Sequence, residues 1–199
     1  MKKWLLVFLV LAGIWAWMPH KIPVKHEGQK VNVIVAFGDS LTAGKGAGGE
    51  FTYPAVLAKL SGKTVLNMGL SGETAAHAPQ RLPEVLAARP QMVLIEFGAN
   101  DFMRSFSRQT AVDAVGQIVD AVQDSGAIAV IVDTGGPGMD EYTKAYKKLA
   151  KEKQAVFVPG IMRGIFYKQK YKSDMIHPNA AGYEIVAQRI YKVIKPYLE

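Results

Sequence analysis

From residue 31 onward the chain alternates between two apolar patterns. Short runs rich in β-branched residues, Val31–Ala36, Val65–Met68, Met92–Phe97, Ile128–Asp133 and Ala155–Val158, are apolar at almost every position. Continuous apolar runs of that length mark strands covered on both faces. The segments between them repeat at helical spacing instead. Val112, Val115, Val119 and Val122 accompany Thr110-Ala-Val-Asp113, which reads as a capping box, and Val186, Ile190, Val193, Ile194 and Tyr197 form a stripe after Asn179. Strand and helix in turn predict an α/β fold: a three-layer α/β/α sandwich around a five-stranded parallel sheet, in one domain spanning 31–199. Ligands of such sheets bind beyond the carboxyl ends of the strands, so chemistry is to be sought after Phe37, Met68, Phe97, Asp133 and Val158.

The first thirty residues break the pattern. Trp4–Met18 is a run of fifteen residues without a charge, preceded by Lys2 and Lys3 and closed by Pro19, His20 and Lys21. As a helix rising about 1.5 Å per residue it reaches roughly 22 Å, short of the ~30 Å hydrocarbon core of a bilayer. Those dimensions match the apolar core of an export signal or a short anchor. No Ala-x-Ala cleavage site follows, and Trp15 and Trp17 suit a membrane interface. The expectation is an N-terminal signal, read as an uncleaved membrane anchor, over 1–18, a linker over 19–30, and an exported domain on the extracytoplasmic side, periplasmic or secreted if the signal is cleaved.

The 199 residues are 49% hydrophobic and 21% charged, enough apolar material for one core and too little chain for two comfortable domains. A formal net charge of +7 suggests nucleic acid or an anionic membrane as partner. Its placement changes that picture. Lys2, Lys3, Lys21, Lys25 and Lys30 stand against Glu27 alone, so more than half of the excess precedes the folded domain. Residues 31–143 are net acidic and 144–199 net basic, a distribution that does not call for nucleic acid. Lys144, Lys147, Lys148, Lys151 and Lys153 read as the solvated face of a helix, with contact to an anionic leaflet as the second reading. The chain has no cysteine, which excludes disulfides, thiolate nucleophiles and cysteine-based zinc sites.

Candidate chemistry stands at the strand ends. Gly38-Asp39-Ser40-Leu41 follows the first strand, and a serine at a strand-to-helix turn has its hydroxyl raised above the sheet and its backbone N–H aimed into the same space. Read alone, Asp39 and Ser40 are equally turn and cap residues. Gly69-Leu70-Ser71-Gly72 follows the second strand, where the Gly72 N–H can face a ligand or simply complete a turn. Gly98-Ala99-Asn100-Asp101 follows the third and offers the Asn100 amide as a donor or a helix cap. Near the C-terminus, Asp174 stands three residues before His177, close enough to accept Nδ1–H and leave Nε2 free as a base, while Pro178 keeps His177 out of helical dihedrals. A nucleophile, an oriented base and three donors on one sheet edge make a complete acyl-transfer site.

These four blocks, in this order and spacing, resemble the SGNH-hydrolase (GDSL-type esterase/lipase) family over about residues 31–199. Tyr53-Pro54 and Arg81-Leu82-Pro83, the latter in the second helix, make the chain similar to the bacterial arylesterase, lysophospholipase and thioesterase branch. Ala99 departs from the second glycine common in relatives, and its methyl narrows the site beside Asn100. The resemblance implies a flavodoxin-like sheet and a serine esterase acting on carboxylic ester or thioester bonds through an acyl-enzyme. It assigns Ser40 as nucleophile, His177 as base, Asp174 as its orienter, and the Ser40 N–H, Gly72 N–H and Asn100 amide as the oxyanion hole. Short-acyl, aryl and lysophospholipid esters are the implied substrates. A cell-wall carbohydrate O-acetylesterase is the alternative, and an inactive anchored binding module a third reading. Apolar residues after Asn100 (Phe102, Met103, Phe106) and the run Gly135-Gly136-Pro137-Gly138-Met139 are candidates for acyl-pocket walls.

Two further motifs carry no cofactor. Gly44-Lys45-Gly46-Ala47-Gly48-Gly49 satisfies the dinucleotide pattern but begins seven residues after Phe37, and no acidic residue closes the next strand. Gly62-Lys63-Thr64 lacks the earlier glycine of a P-loop, since Leu57 stands there. His20 and His77 have no partners at metal spacing, so neither metal nor cofactor is expected.

Overall fold

The computed structural model describes residues 23–199. Five parallel strands, β1 (Val33–Gly38), β2 (Thr64–Gly69), β3 (Met92–Glu96), β4 (Ile128–Val132) and β5 (Val156–Val158), lie in the order β2-β1-β3-β4-β5. The helices between and beyond them are α1 (Ser40–Ala43), α2 (Tyr53–Ser61), α3 (Leu82–Ala87), α4 (Ala99–Met103), α5 (Arg108–Asp124), α6 (Asp140–Glu152) and α7 (Ala180–Ile194). The architecture is the expected α/β/α sandwich.

Alternate strand residues feed two cores. Ile34, Ala36, Leu94 and Val130 pack with Leu57 of α2 and Val186 and Ile190 of α7, while Val35, Phe37, Val93 and Ile131 pack on the other face with Val115, Val119 and Val122 of α5 and Tyr146 of α6. Full burial of one such aliphatic side chain stabilises by roughly 1.5–3 kcal/mol, so both faces hold the sheet rigid beneath its carboxyl edge.

Three local expectations are corrected. The first strand runs Val33–Gly38 rather than Val31–Ala36, because pairing continues through Gly38↔Gly69 and Gly38↔Glu96. Strand ends follow backbone pairing rather than apolarity. β2 is an edge strand whose Thr64 and Asn67 are exposed, so it is not covered on both faces. α5 begins one turn before the anticipated capping box: Ser107, not Thr110, is the cap, its hydroxyl accepting from the Thr110 N–H at 3.3 Å. Asn179 does cap α7, accepting from the Gly182 N–H.

The expected anchor over 1–18 and the start of the linker lie outside the described residues. The rest of that linker, 23–30, is tied to the body: the Lys25 N–H donates to the Gln154 carbonyl, and the Gln29 amide donates to the carbonyls of Gln91 and Gly126. Among the described residues no helix is long and apolar enough to cross a membrane. Three of the five lysines of the 144–153 stretch pair with carboxylates, Lys144 with Glu141, Lys148 with Glu152 and Lys153 with Asp120, as a solvated face does.

Candidate active site

Ser40 opens α1 immediately beyond β1. Asp39 caps that helix by accepting the Leu41 N–H at 3.0 Å, which fixes the sharp turn from strand to helix. The fifth strand leads into a long loop, and just before α7 this loop presents Asp174 and His177. Asp174 Oδ1 accepts the backbone N–H groups of Ile176 and His177 at 2.9 and 2.8 Å, and its Oδ2 lies 2.8 Å from His177 Nδ1. These contacts, the His177 N–H foremost, hold the Asp174 carboxyl down at about 2. A carboxylate only accepts, so Nδ1 carries the hydrogen and Nε2 presents its lone pair. That nitrogen lies 2.9 Å from Ser40 Oγ. An aligned hydroxyl, imidazole and carboxylate can draw the proton from the hydroxyl and stabilise the imidazolium that forms.

Asn100 stands at the start of α4, where its side-chain amide donates to Asp39 Oδ2 at 3.0 Å and to the Glu73 carbonyl at 2.9 Å. Both hydrogens are engaged within the protein, so reception of an oxyanion requires one of them to be shared or released. Gly72, at φ +83°, precedes Glu73 and is tied to Asn100 through it, and its own carbonyl accepts from Arg104 Nη2 at 2.9 Å. Arg81 braces the same loop: its guanidinium pairs with Glu73 through both carboxylate oxygens, donates to the Met68 carbonyl and lies over the Phe37 ring. It ends a 3-10 turn, Ala78–Arg81, just ahead of α3 rather than inside the helix. Nothing in the sequence paired Arg81 with Glu73; only the fold brings them together.

The glycine-rich run that mimics a dinucleotide motif has a packing role. Gly46, at φ +100°, lies so close to the His177 loop that a Cβ there would collide with Ser173 Oγ and the Pro178 carbonyl. Beside it the Tyr183 hydroxyl donates to the Lys45 carbonyl at 2.8 Å. This seam holds the histidine loop against the serine turn. Among the described residues no group of histidine, aspartate and glutamate could hold a metal ion; His77 bonds to the Thr74 hydroxyl.

Residues 36–185 match the GDSL-like Lipase/Acylhydrolase family. The chain belongs to that family. It is an acylhydrolase, a carboxylic ester hydrolase of the GDSL type. It is 30% identical over 175 residues to the thioesterase 1/protease 1/lysophospholipase L1 of Escherichia coli (strain K12), covering 83% of this chain and 84% of that one. Identity to an arylesterase of Vibrio mimicus is also 30%, over 80% of this chain and 88% of the relative. The psychrotrophic esterase EstA from a Pseudoalteromonas species superposes with a TM-score of 0.74 at 27% identity, covering 84% of this chain and 98% of EstA.

In this acylhydrolase, Ser40 and His177 open onto a cavity of about 300 Å³. Phe102, Met103 and Met139 wall it as anticipated, with Gly136 and Pro137 of the glycine run, and Ala99 adds its methyl; Phe106, by contrast, is half exposed outside it. The rest of the wall includes Phe166, Tyr167, Met175 and Ile176, from the loops after β5 and before α7. Neither Gly72 nor Asn100 lines this cavity; Asn100 is bonded instead to Asp39, the residue before the serine, and to Glu73, the residue after Gly72.

Under the serine lies a buried acid pair. Asp39 is pushed up to about 6 by burial, partly offset by the Leu41 N–H and by Glu96. Glu96, the last residue of β3, is also raised by burial and by the neighbouring Asp39, and it accepts from the hydroxyls of Thr134 and Thr42.

Proposed function

We propose that the protein is a serine esterase of the extracytoplasmic space that hydrolyses acyl esters with an apolar acyl or aryl part, lysophospholipids among them, through an acyl-enzyme. The observation that carries this reading is the hydrogen-bonded line Ser40–His177–Asp174 opening onto a predominantly apolar cavity. Ser40 Oγ attacks the ester carbonyl while His177 Nε2 takes its proton; the tetrahedral oxyanion is received by the Ser40 and Gly72 N–H groups and one hydrogen of the Asn100 amide. His177 then protonates the leaving alkoxide or thiolate, and the carbonyl re-forms as an acyl-Ser40. Water, losing a proton to His177, attacks that ester, and the carboxylic acid departs with Ser40 regaining its hydrogen. Asp174 keeps the imidazole in the required tautomer throughout.

The walls favour this substrate class over acetylated cell-wall carbohydrate. Phe102, Met103, Phe166 and Met175 provide apolar surface suited to a hydrocarbon chain, whereas a polymer sugar needs hydrogen-bonding partners around its hydroxyls. The intact line of acid, base and nucleophile argues against an inactive binding module. Export, and attachment to a membrane through Trp4–Met18, follow from the signal-like order of the N-terminus.

The test is the full-length chain in detergent, assayed on p-nitrophenyl esters of rising acyl length, a lysophospholipid and an acetylated oligosaccharide. The expected result is kcat/KM that rises with chain length beyond acetate and turnover of the lysophospholipid. Activity confined to the acetylated sugar would overturn it.

A further inference from the structure

Glu96 does not touch the nucleophile or its base, yet it is fully buried at the carboxyl end of the central strand β3, directly beneath the site. The strand register sets Glu96 opposite Gly38, the residue before Asp39, and the two buried carboxyls interact with one another. Two carboxyl groups in contact and out of water do not both ionise, because like charges at that range repel strongly in a low dielectric; one proton stays with the pair. The surrounding donors decide where it sits. Asp39 accepts two N–H hydrogens, from Leu41 and from the Asn100 amide, and so is suited to the negative charge. Glu96 accepts only the hydroxyls of Thr42 and Thr134 and is left to carry the proton.

The other titratable groups around the pair are Tyr53 of α2, Tyr146 of α6, Tyr183 of α7, Asp101 of α4 and His177. Among the described residues no lysine or arginine forms a salt bridge with either carboxyl.

We propose that Glu96 is a positioning residue: as a neutral acid it donates its hydrogen to Asp39, and Asp39 in turn holds the Asn100 amide where it receives the oxyanion. The chain of contacts runs Glu96 to Asp39 to Asn100, and Asp39 also sets the turn that carries Ser40, so one proton stored under the sheet edge governs the aim of the oxyanion hole. The inference rests on the role assigned to Asn100 in the proposed mechanism. It also accounts for an ionisable residue at a strand position that the apolar pattern otherwise reserves for aliphatic side chains.

The experiment is a double-mutant cycle in full-length enzyme with Asn100→Ala, Glu96→Leu, their combination, and Glu96→Gln, each assayed for kcat and KM on one p-nitrophenyl ester. Glu96→Leu is expected to lower kcat roughly tenfold or more with KM changed less than about threefold, the pattern of an interaction made only in the transition state. Glu96→Gln, which keeps a donor and no charge, brings kcat back to within roughly threefold of parent. In the Asn100→Ala background Glu96→Leu costs nothing further. Losses that multiply in the double variant, or a Gln variant as slow as the Leu variant, would overturn the proposal. A parental kcat in Asn100→Ala alone points instead to failure of the oxyanion assignment, and the two failures are thereby told apart. If the Leu variant does not fold, infrared difference spectra at pH 7 of parent against Glu96→Gln decide: the carbonyl stretch of a protonated carboxylic acid is present in parent and lost in the variant, and its absence from parent sinks the idea.

Discussion

His177 Nε2 lies 2.9 Å from Ser40 Oγ, although 137 positions of sequence separate the two residues. The contact joins the first strand end to the loop before the last helix, and the proposed chemistry depends on it. Ser40→Ala is expected to fold normally, since the side chain contributes one part-buried hydrogen bond, to His177, and to lose kcat by several orders of magnitude. Rapid-mixing assays with p-nitrophenyl acetate should show no burst of acylation in the variant. A burst of parental size would place the nucleophile elsewhere.

The Asn100 amide serves two acceptors, Asp39 Oδ2 and the Glu73 carbonyl, before any substrate arrives. Asn100→Ala is therefore expected to act twice. Loss of an oxyanion donor lowers kcat by roughly 10²–10³, and loss of the donor to the Glu73 carbonyl costs about 1–3 kcal/mol, while Asp39 keeps the Leu41 N–H. Steady-state kinetics and a denaturant titration separate the effects; unchanged values in both would remove Asn100 from the site.

Gly46 meets the histidine loop where a methyl group has no room. Gly46→Ala must also hold an unfavourable positive φ, so it is expected to destabilise the fold by more than about 1 kcal/mol. Because the loop it pushes carries His177, kcat is expected to fall with stability. A thermal melt together with kcat checks this, and an active variant with parental Tm would show that the seam is loose.

Phe166 and Phe102 both wall the cavity. Phe166→Ala is expected to lower kcat/KM for an octanoyl ester by roughly 10–100-fold while leaving acetate little changed, since removal of apolar contact discriminates by about 1–3 kcal/mol. Equal losses on both esters would mean that the side chain holds the loop rather than the acyl chain.

The acid pair and Asp174 set opposite dependences of stability on pH. Asp39 has its folded value raised to about 6, so the folded state binds more protons than the unfolded chain between about pH 4 and 6. Its contribution is complete below about pH 4 and is lost as pH rises through about 6. Asp174, lowered to about 2, contributes above about pH 4 and loses that contribution as pH falls through about 2. The Tm difference between parent and Asp39→Asn is thus expected to shrink from pH 4 to pH 7. A difference constant across that range would contradict the burial of an ionisable pair.

Much of the fold was legible because buried strands and amphipathic helices advertise themselves by spacing, as Met92–Glu96 and the valines of α5 do. The proposed reacting residues were legible because each stands in a short block, Ser40, Gly72 and Asn100 after strands and Asp174 with His177 just before the last helix. Part of the cavity lining was not: Phe166, Tyr167, Met175 and Ile176 lie in irregular loops, where apolar residues carry no periodicity and nothing local says which space they share. Glu96 was absorbed into an apolar run, since a buried acid is intelligible only when its partner, distant in sequence, is seen beside it. Ser107 escaped because Thr110 offered a competing cap one turn on, and the choice between them depends on where the preceding loop lets the chain become extended.

The short antiparallel bridge between Lys172 and Pro178, with the Ser173 N–H donating to the His177 carbonyl, closes a seven-residue loop that holds acid and base together by contacts within itself. The contacts that orient acid and base are thus local, whereas the contact with Ser40 spans 137 positions of sequence. The site is accordingly divided between a self-contained half and a half that only the folded sheet supplies: a molecule opened between the serine turn and this loop keeps acid and base oriented toward one another, with no hydroxyl left to act upon.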